Sequence, residues 1–444
     1  MGHQMGTHKN ILIILYTINM IDLTQTKVEE FIMTVQTPYR YDVVGSFLRP
    51  EKLKQARKDY ESKKISREEL TQIEDECITD LVQKEKVAGL HVITDGEFRR
   101  ATWHLDFMWG FDGVSHTPTK TGLPFHGEAA MIDDTYITGK VGVSGTHPFV
   151  EHFKFVKQFE DENTIAKQTI PAPAQFLEQM ILPFALENTK KYYEDTEELV
   201  QDIAKGYKVV IQQLYDAGCR CIQFDDCSWG MLVDEKAPLF FQTDQEGLLK
   251  VQELFLRINN LAIEGKPEDL TINTHVCRGN FHSTYASSGA YDAVAKTLFA
   301  KENVHAYFLE FDDARSGGFE PLKEVTPDKK VVLGLVTTKL AKLEDKETVI
   351  ARIKEASQYV PLENLYLSPQ CGFASCEIGN KLTEEQQWLK LNWLKKLPKK
   401  YGDRKKFGLI SKLFLLRFIF FKIIFTQFDT SVSIKGIKHT FKIT

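Results

Sequence analysis

The chain is poor in the residues that mark several protein classes. Its 444 residues hold only seven cysteines, at 77, 219, 221, 227, 277, 371 and 376. An odd number at these spacings builds no disulfide framework, so the reading is of reduced thiols in a cytoplasmic protein. Fifteen prolines and 27 glycines exclude collagen-like and low-complexity architectures. A net charge of −5 gives no basic footprint, and nucleic acid is not expected as a partner. Neither a G-x-G-x-x-G nor a G-x-x-x-x-G-K-[ST] phosphate loop is present, and no internal repeat is seen. A long uncharged apolar run is missing too. ILIILY (11–16) opens a run that ends at Ile21, and the intensely apolar stretch 407–425 is interrupted by Lys412, Arg417 and Lys422. Each of those cations costs about 2.5–3.5 kcal/mol at a bilayer centre, so any membrane contact falls to this stretch as an interfacial helix.

What is there is globular: 43% hydrophobic and 26% charged residues can repay the entropy of chain ordering. Residues 1–32 read as a leader outside the fold, before a start at Met33. Residues 401–444 read as a basic, apolar tail with nine cations against two acids. The body between them, 33–400, nets −11 and is expected to be a single folded unit.

Within that body, β-rich and helical text alternate. YDVVGSF (41–47), VITDGE (92–97), TIAKQTIPAP (164–173), RCIQFDD (220–226), TINTHVC (271–277), AYFLEFDD (306–313), KVVLGLVTT (330–338) and LYLSPQC (365–371) read as eight strands. Helical text fills 51–87, with a break near Ile65, and then 193–217, 243–264, 346–358 and 383–398. A long insertion follows the second strand, and TYITGKVGVSG (135–145) inside it reads as a hairpin. The expected fold is α/β, a (β/α)8 TIM-type barrel with a long insertion after strand 2; an open doubly wound sheet is the alternative.

Polar residues collect at the C-terminal ends of these strands: Gly45 and Ser46, Asp95 to Glu97, Asp225 to Cys227, His275 and Cys277, Glu310, and Cys371. In a barrel those ends share one mouth, where active sites sit. His275 and Cys277 are two apart on a strand, so their side chains share a face. Imidazole and thiolate are good zinc ligands. Glu310 and Cys371 stand at matching ends of later strands, which makes a mixed nitrogen, sulfur and oxygen set. Cys219, Cys221 and Cys227 read as small core residues, and Cys376 as structural. Asp226, adjacent to Asp225, should face the other way. Arg99, Arg100, Trp103 and His104 either line a donor pocket or decorate a lid. Arg278 and Arg315 stand ready to pair with acids in the mouth.

Six segments carry a family resemblance. THVCRGN (274–280), LEFDDARSG (309–317), SPQCGFAS (368–375), VVGSF (43–47), TDGE (94–97) and IQFDD (222–226) resemble, in order and context, segments of cobalamin-independent methionine synthase. The resemblance spans about residues 40–400 and matches the catalytic C-terminal half alone. It implies a (β/α)8 barrel, Zn2+ as cofactor, and transfer of a methyl group to the thiol of homocysteine to make methionine. It implies zinc ligation by His275, Cys277, Glu310 and Cys371; from the chemistry of the metal, Glu310 reads as the ligand that yields to the substrate sulfur. It also implies that Asp225, helped by Glu97, holds the homocysteine amino group, and that Gly45 and Ser46 take the carboxylate. Methyltetrahydrofolate is the implied donor. The chain departs from the family pattern on that side. Thr337, Thr338 and Lys339 stand where the family has an Asp and a His, and no Trp follows IPAPAQF (170–176). A methylcorrinoid or methyl-sulfur donor, another thiol acceptor, and a non-catalytic zinc-binding protein are the alternatives.

Overall fold

A computed structural model describes residues 37–397. The leader 1–32 and the tail 401–444 lie outside the described residues, as does the 407–425 stretch. Of the described residues, those from 37 to 395 form one compact body.

The elements run as follows. Two helices come first, α1 (Glu51–Glu61) and α2 (Arg67–Ala88), then strand β1 (Val92–Ile93) and a short α3 (Leu105–Met108). The insertion supplies β2 (Asp112–Thr117), β3 (Leu123–Phe125), β4 (Glu128–Ala130), β5 (Asp134–Gly142) and α4 (Pro148–Lys157). Next come β6 (Ile165–Ala166), β7 (Gln168–Pro171), α5 (Pro173–Ile181), α6 (Pro183–Thr189) and α7 (Thr196–Asp216). They are followed by β8 (Cys221–Asp226), α8 (Ser228–Leu232), α9 (Ala237–Phe240), α10 (Gln245–Ile263) and β9 (Thr271–Val276). The chain closes with α11 (Ala295–Lys301), β10 (Ala306–Glu310), β11 (Lys330–Val336), α12 (Lys346–Ala356), β12 (Leu365–Pro369) and α13 (Glu384–Leu394).

The fold is α/β with a parallel sheet ordered β7-β8-β9-β10-β11-β12. Its strands are buried almost throughout, which explains their continuous apolar text: a parallel sheet covered by helices on its faces needs no polar face. Both edges are extended. At one, β6 runs on from β7 with a single residue between, and pairs in parallel with β1. At the other, Tyr41 bridges Leu367 in parallel and Asp42 N–H donates to the Leu367 carbonyl at 2.9 Å. The two flanking segments also meet: Thr94 Oγ1 donates to the Gly45 carbonyl at 2.7 Å and Phe47 N–H to the Gly96 carbonyl at 3.1 Å.

Helix ends follow local chemistry. Ser66 and Glu69 close a capping box at the start of α2, and Gly89, at φ 80°, ends it in the left-handed region. The break expected near Ile65 is this boundary. Among the described residues, seven helices fall outside the ranges read as helical, α3, α4, α5, α6, α8, α9 and α11, and three of them, α4, α5 and α6, share one signal. Each is short and begins at a proline, Pro148, Pro173 and Pro183. Proline suits a first helical turn, where its missing N–H leaves nothing unpaired. The third strand accordingly stops at Pro171, and the second half of IPAPAQF is helix.

The hairpin expected over 135–145 is also different. Asp134–Gly142 is one strand, paired antiparallel with β2 upstream. A Cβ on Gly139 would meet only the Gly113 Cα, at 3.7 Å. That is ordinary contact, so the close approach of the two strands falls at Gly113, where a Cβ would stand 2.3 Å from the Lys140 carbonyl oxygen.

Candidate metal centre and active site

The strand registers decide which side chains meet. Asp225 pairs with His275 and Asp226 with Val276 across β8 and β9. The next rung brings Cys227 opposite Cys277, whose N–H donates to the Asp226 carbonyl at 3.1 Å. Gly230 in α8 makes this possible, since a Cβ there would stand 1.9 Å from the Cys277 carbonyl oxygen.

His275, Cys277 and Cys371 are brought together and buried, with one ligand atom of each within 4.8 Å of the others. His275 Nδ1 lies 3.1 Å from the Phe308 carbonyl, which only accepts. That places the proton on Nδ1 and turns the Nε2 lone pair to the thiols, 3.4 Å from Cys371 Sγ. The two sulfurs are 3.6 Å apart. A tetrahedral zinc with Zn–S of about 2.3 Å and Zn–N of about 2.05 Å has S···S and S···N edges near 3.8 and 3.5 Å. The donor set therefore fits a zinc ion without rearrangement.

Glu310 stands at the edge of this set. Its Oε1 is 4.0 Å from Cys277 Sγ. Its Oε2 accepts from Arg278 N–H at 3.2 Å and Arg315 Nη1 at 3.4 Å. The expected pairing of Arg278 and Arg315 with an acid thus falls on Glu310. Burial pushes the Glu310 carboxyl up and Cys277 adds to it, against the Lys339 and Arg315 charges. Cys277 is the first thiol to ionise: hydrogen bonds from the Cys227 and Cys371 thiols hold it well below the ordinary value. The lone pair of a buried thiolate needs such donors or a metal.

One cavity of about 460 Å³ runs from this cluster past Ser46, Glu97 and Asp225 to an apolar mouth that includes Leu123, Phe125 and Leu182. Asp225 Oδ1 accepts from Gln223 Nε2 at 2.7 Å. Glu97, at φ 62°, accepts from Thr169 Oγ1 at 3.2 Å and lies 3.3 Å from Arg100 Nη1, leaving Oε2 unpartnered. Burial raises both carboxyls. Gly45, at φ 141°, has no room for a side chain against Thr169. Ser46 packs on the segment after Cys371: Phe373 N–H donates to its carbonyl at 2.9 Å, and a Cβ on Gly372 would stand 1.8 Å from its Oγ.

Other sites resolve plainly. Trp103 and His104 stack at 4.3 Å and line the cavity, and burial holds His104 neutral with its pKa lowered to about 3. Arg99 turns away to Glu74 and Asp75. Asp226 is held off the cavity by Ser228 and Asn259. Thr338 binds Gln370 and Asn380, and none of Thr337, Thr338 and Lys339 lines the cavity. Cys219 and Cys221 are core residues. Cys227 is not: it lines the cavity beside Cys277, and Cys376 also reaches the cavity wall. Only the register of β8 against β9 could have revealed Cys227.

A helix-covered parallel sheet, with a buried thiol and imidazole cluster at its strand ends inside a substrate-sized cavity, defines a small-molecule enzyme with a metal-ready centre. Residues 185–385 match the catalytic domain of cobalamin-independent synthase. YxjG of Bacillus subtilis, itself uncharacterised, is 45% identical over 80% of this chain and 92% of its own length. A methionine synthase of Pyrococcus horikoshii is 24% identical over 74% of this chain and 85% of its own. Among solved structures, a putative vitamin-B12-independent methionine synthase from Listeria monocytogenes superposes with a TM-score of 0.65 at 38% identity. That match covers 82% of this chain and 98% of the other. The chain belongs to the cobalamin-independent methionine synthase family, whose catalytic domain it spans, and it is a methyltransferase.

Proposed function

We propose that this enzyme transfers a methyl group to the thiol of homocysteine at a zinc ion held by His275, Cys277, Cys371 and Glu310. The observation that carries the reading is the convergence of His275, Cys277 and Cys371 with Asp225 and Glu97 in one cavity, with Glu310 at the edge of the cluster. The eight strand segments, joined through the contacts of 41–47 with the segment that follows β1 and with β12, are read as a closed (β/α)8 barrel around it. A zinc ion there would supply the Lewis acidity that keeps a substrate thiol ionised at neutral pH. Asp225 and Glu97 hold the substrate ammonium, for which Glu97 keeps its free Oε2. The backbone at Gly45 and Ser46 receives the carboxylate. Glu310, tethered by Arg278 and Arg315 rather than by the cluster, would be the ligand to make way for the substrate sulfur. The seven cysteines are all free, as suits a reducing, cytoplasmic setting. No helix among the described residues is long and apolar enough to cross a membrane.

The test is direct. Purified protein should carry about one zinc per chain, and should form labelled methionine from homocysteine and a methyl-labelled donor. Metal analysis without zinc, or homocysteine that leaves the zinc–sulfur X-ray absorption unchanged at saturation, would reject the reading.

The ammonium site carries its own pH signature. Burial raises the Glu97 carboxyl, so it protonates at a higher pH than an ordinary carboxylate. Ammonium binding needs the ionised form, so the KM for homocysteine should rise as pH falls from 8 to 6, by at most about tenfold per unit for one proton. Glu97→Gln should raise KM about 10- to 100-fold at pH 8, the worth of one hydrogen bond to a charged group, and flatten this slope. An unaltered KM profile in the variant would remove Glu97 from the ammonium site.

A further inference from the structure

The face of α5 turned to the cavity is polar where a packing helix should be apolar. Gln175, Glu178 and Gln179 recur at helical spacing, Leu182 follows just past the helix end, and all four line the cavity. The three polar ones are more than nine-tenths buried, Glu178 to 3% exposure. Gln175 is committed: its Oε1 accepts from Cys227 N–H at 3.1 Å and its Nε2 donates to Glu178 Oε2 at 3.0 Å. Glu178 Oε1 has no partner.

This arrangement fixes the state of Glu178. No cation offsets its charge, and the neighbouring Asp226 carboxylate adds to the cost of ionising it. An isolated buried carboxylate neutralises rather than stay charged. Burial first, then Asp226, raise its pKa to about 8, so at pH 7 it is a carboxylic acid. Oε2 already accepts a hydrogen bond from an amide, so the proton sits on Oε1. A buried acid thus keeps an uncommitted O–H in the wall of the reaction cavity.

Of the three carboxyl groups that line the cavity, Glu178 alone has no part in the reading above; His126, stacked on Tyr285, and Lys236 are the other side chains of the lining able to carry a proton. Glu97 and Asp225 belong to the acceptor's ammonium in the reading above. His104 is neutral and carries no spare proton. Thr337, Thr338 and Lys339 do not reach the cavity. From this geometry we infer that Glu178 is the proton donor to the leaving nitrogen of an N-methyl donor bound between α5 and the metal centre. The step balances without an oxidant. A bond forms from the acceptor sulfur to the methyl carbon as the methyl–nitrogen bond breaks. The electron pair stays on nitrogen, which takes the proton from Oε1, and water reprotonates the carboxylate before the next turnover. A methyl group leaving cobalt needs no such proton.

The inference rests on the proposed methyl transfer to homocysteine, and the experiment separates the two. Zinc-loaded wild type, Glu178→Gln and Glu178→Asp are assayed with homocysteine and either 5-methyltetrahydrofolate or methylcobalamin. With the N-methyl donor, Glu178→Gln should lower kcat by about 100-fold or more, the usual worth of a general acid, with zinc content and the KM for homocysteine little changed. Glu178→Asp, shorter but still acidic, should recover at least tenfold of that loss. With methylcobalamin the loss in Glu178→Gln should be at least tenfold smaller. An equal loss with both donors, an aspartate variant worse than the glutamine one, or an unchanged kcat would overturn the inference. So would a wild type that uses methylcobalamin and not the N-methyl donor, while leaving the proposed function standing. A wild type that makes no methionine from either donor would refute the proposed function itself.

Discussion

Cys277→Ser should yield a folded protein that has lost its metal and its turnover together. The sulfur sits at the centre of the cluster, 3.6 Å from Cys371 Sγ, and it is the thiol held in the ionised form by its neighbours. A serine hydroxyl in the same place stays protonated at neutral pH and offers zinc a poor ligand. Loss even of a group that only orients a ligand costs 10- to 100-fold in metal affinity, so loss of the ligand should exceed about 100-fold. Cys371→Ser should behave alike, because His275 Nε2 is directed at that sulfur. Cys376→Ser is the control. Its backbone bridges Thr102, its thiol is outside the cluster, and it should retain zinc. The checks are metal analysis after gentle purification and chelator competition. One equivalent of zinc held by Cys277→Ser at wild-type affinity would overturn the assignment, as would zinc lost from Cys376→Ser alone.

How far this centre was legible in the sequence depends on the kind of contact. His275 and Cys277 could be paired because alternation along one strand is a local rule. Glu310 and Cys371 could be added because each ends a recognisable apolar strand, and strand ends converge. Cys227 could not. Its nearness to Cys277 depends on the register of β8 against β9 and on the absence of a side chain at Gly230, and neither is a local property of the sequence. The α5 face was missed for another reason. Pro171 and Pro173 broke the pattern, so the text read as the end of a strand, and the spacing of Gln175, Glu178 and Gln179 became visible only once Pro173 was known to open a helix. The insertion was recognisable as an insertion, but not its pairing, since β5 finds its partner upstream rather than across its own glycines.

Arg278→Met should destabilise the protein by about 3–5 kcal/mol, the cost of removing one partner from a buried ion pair. Arg278 is fully buried and does several jobs at once. Its guanidinium stacks over Tyr291 at 4.0 Å, donates to the Gly289 carbonyl at 2.7 and 3.0 Å and to Tyr291 Oη at 2.9 Å, and lies 3.7 Å from Glu310 Oε2. Methionine restores much of the volume but none of the charge, so the Gly289 carbonyl and part of Glu310 are left uncompensated in the interior. Arg315 remains near Glu310 at 3.4 Å, which keeps the loss short of complete unfolding. The measurement is the urea midpoint with and without zinc. If Glu310 is a metal ligand, a bound cation offsets the charge that the variant exposes. The deficit should then be smaller in the zinc-loaded protein than in the stripped one, beyond the stabilisation that zinc gives the wild type. An equal deficit in both forms would mean that Glu310 answers only to its arginines, leaving His275, Cys277 and Cys371 to hold the metal without it.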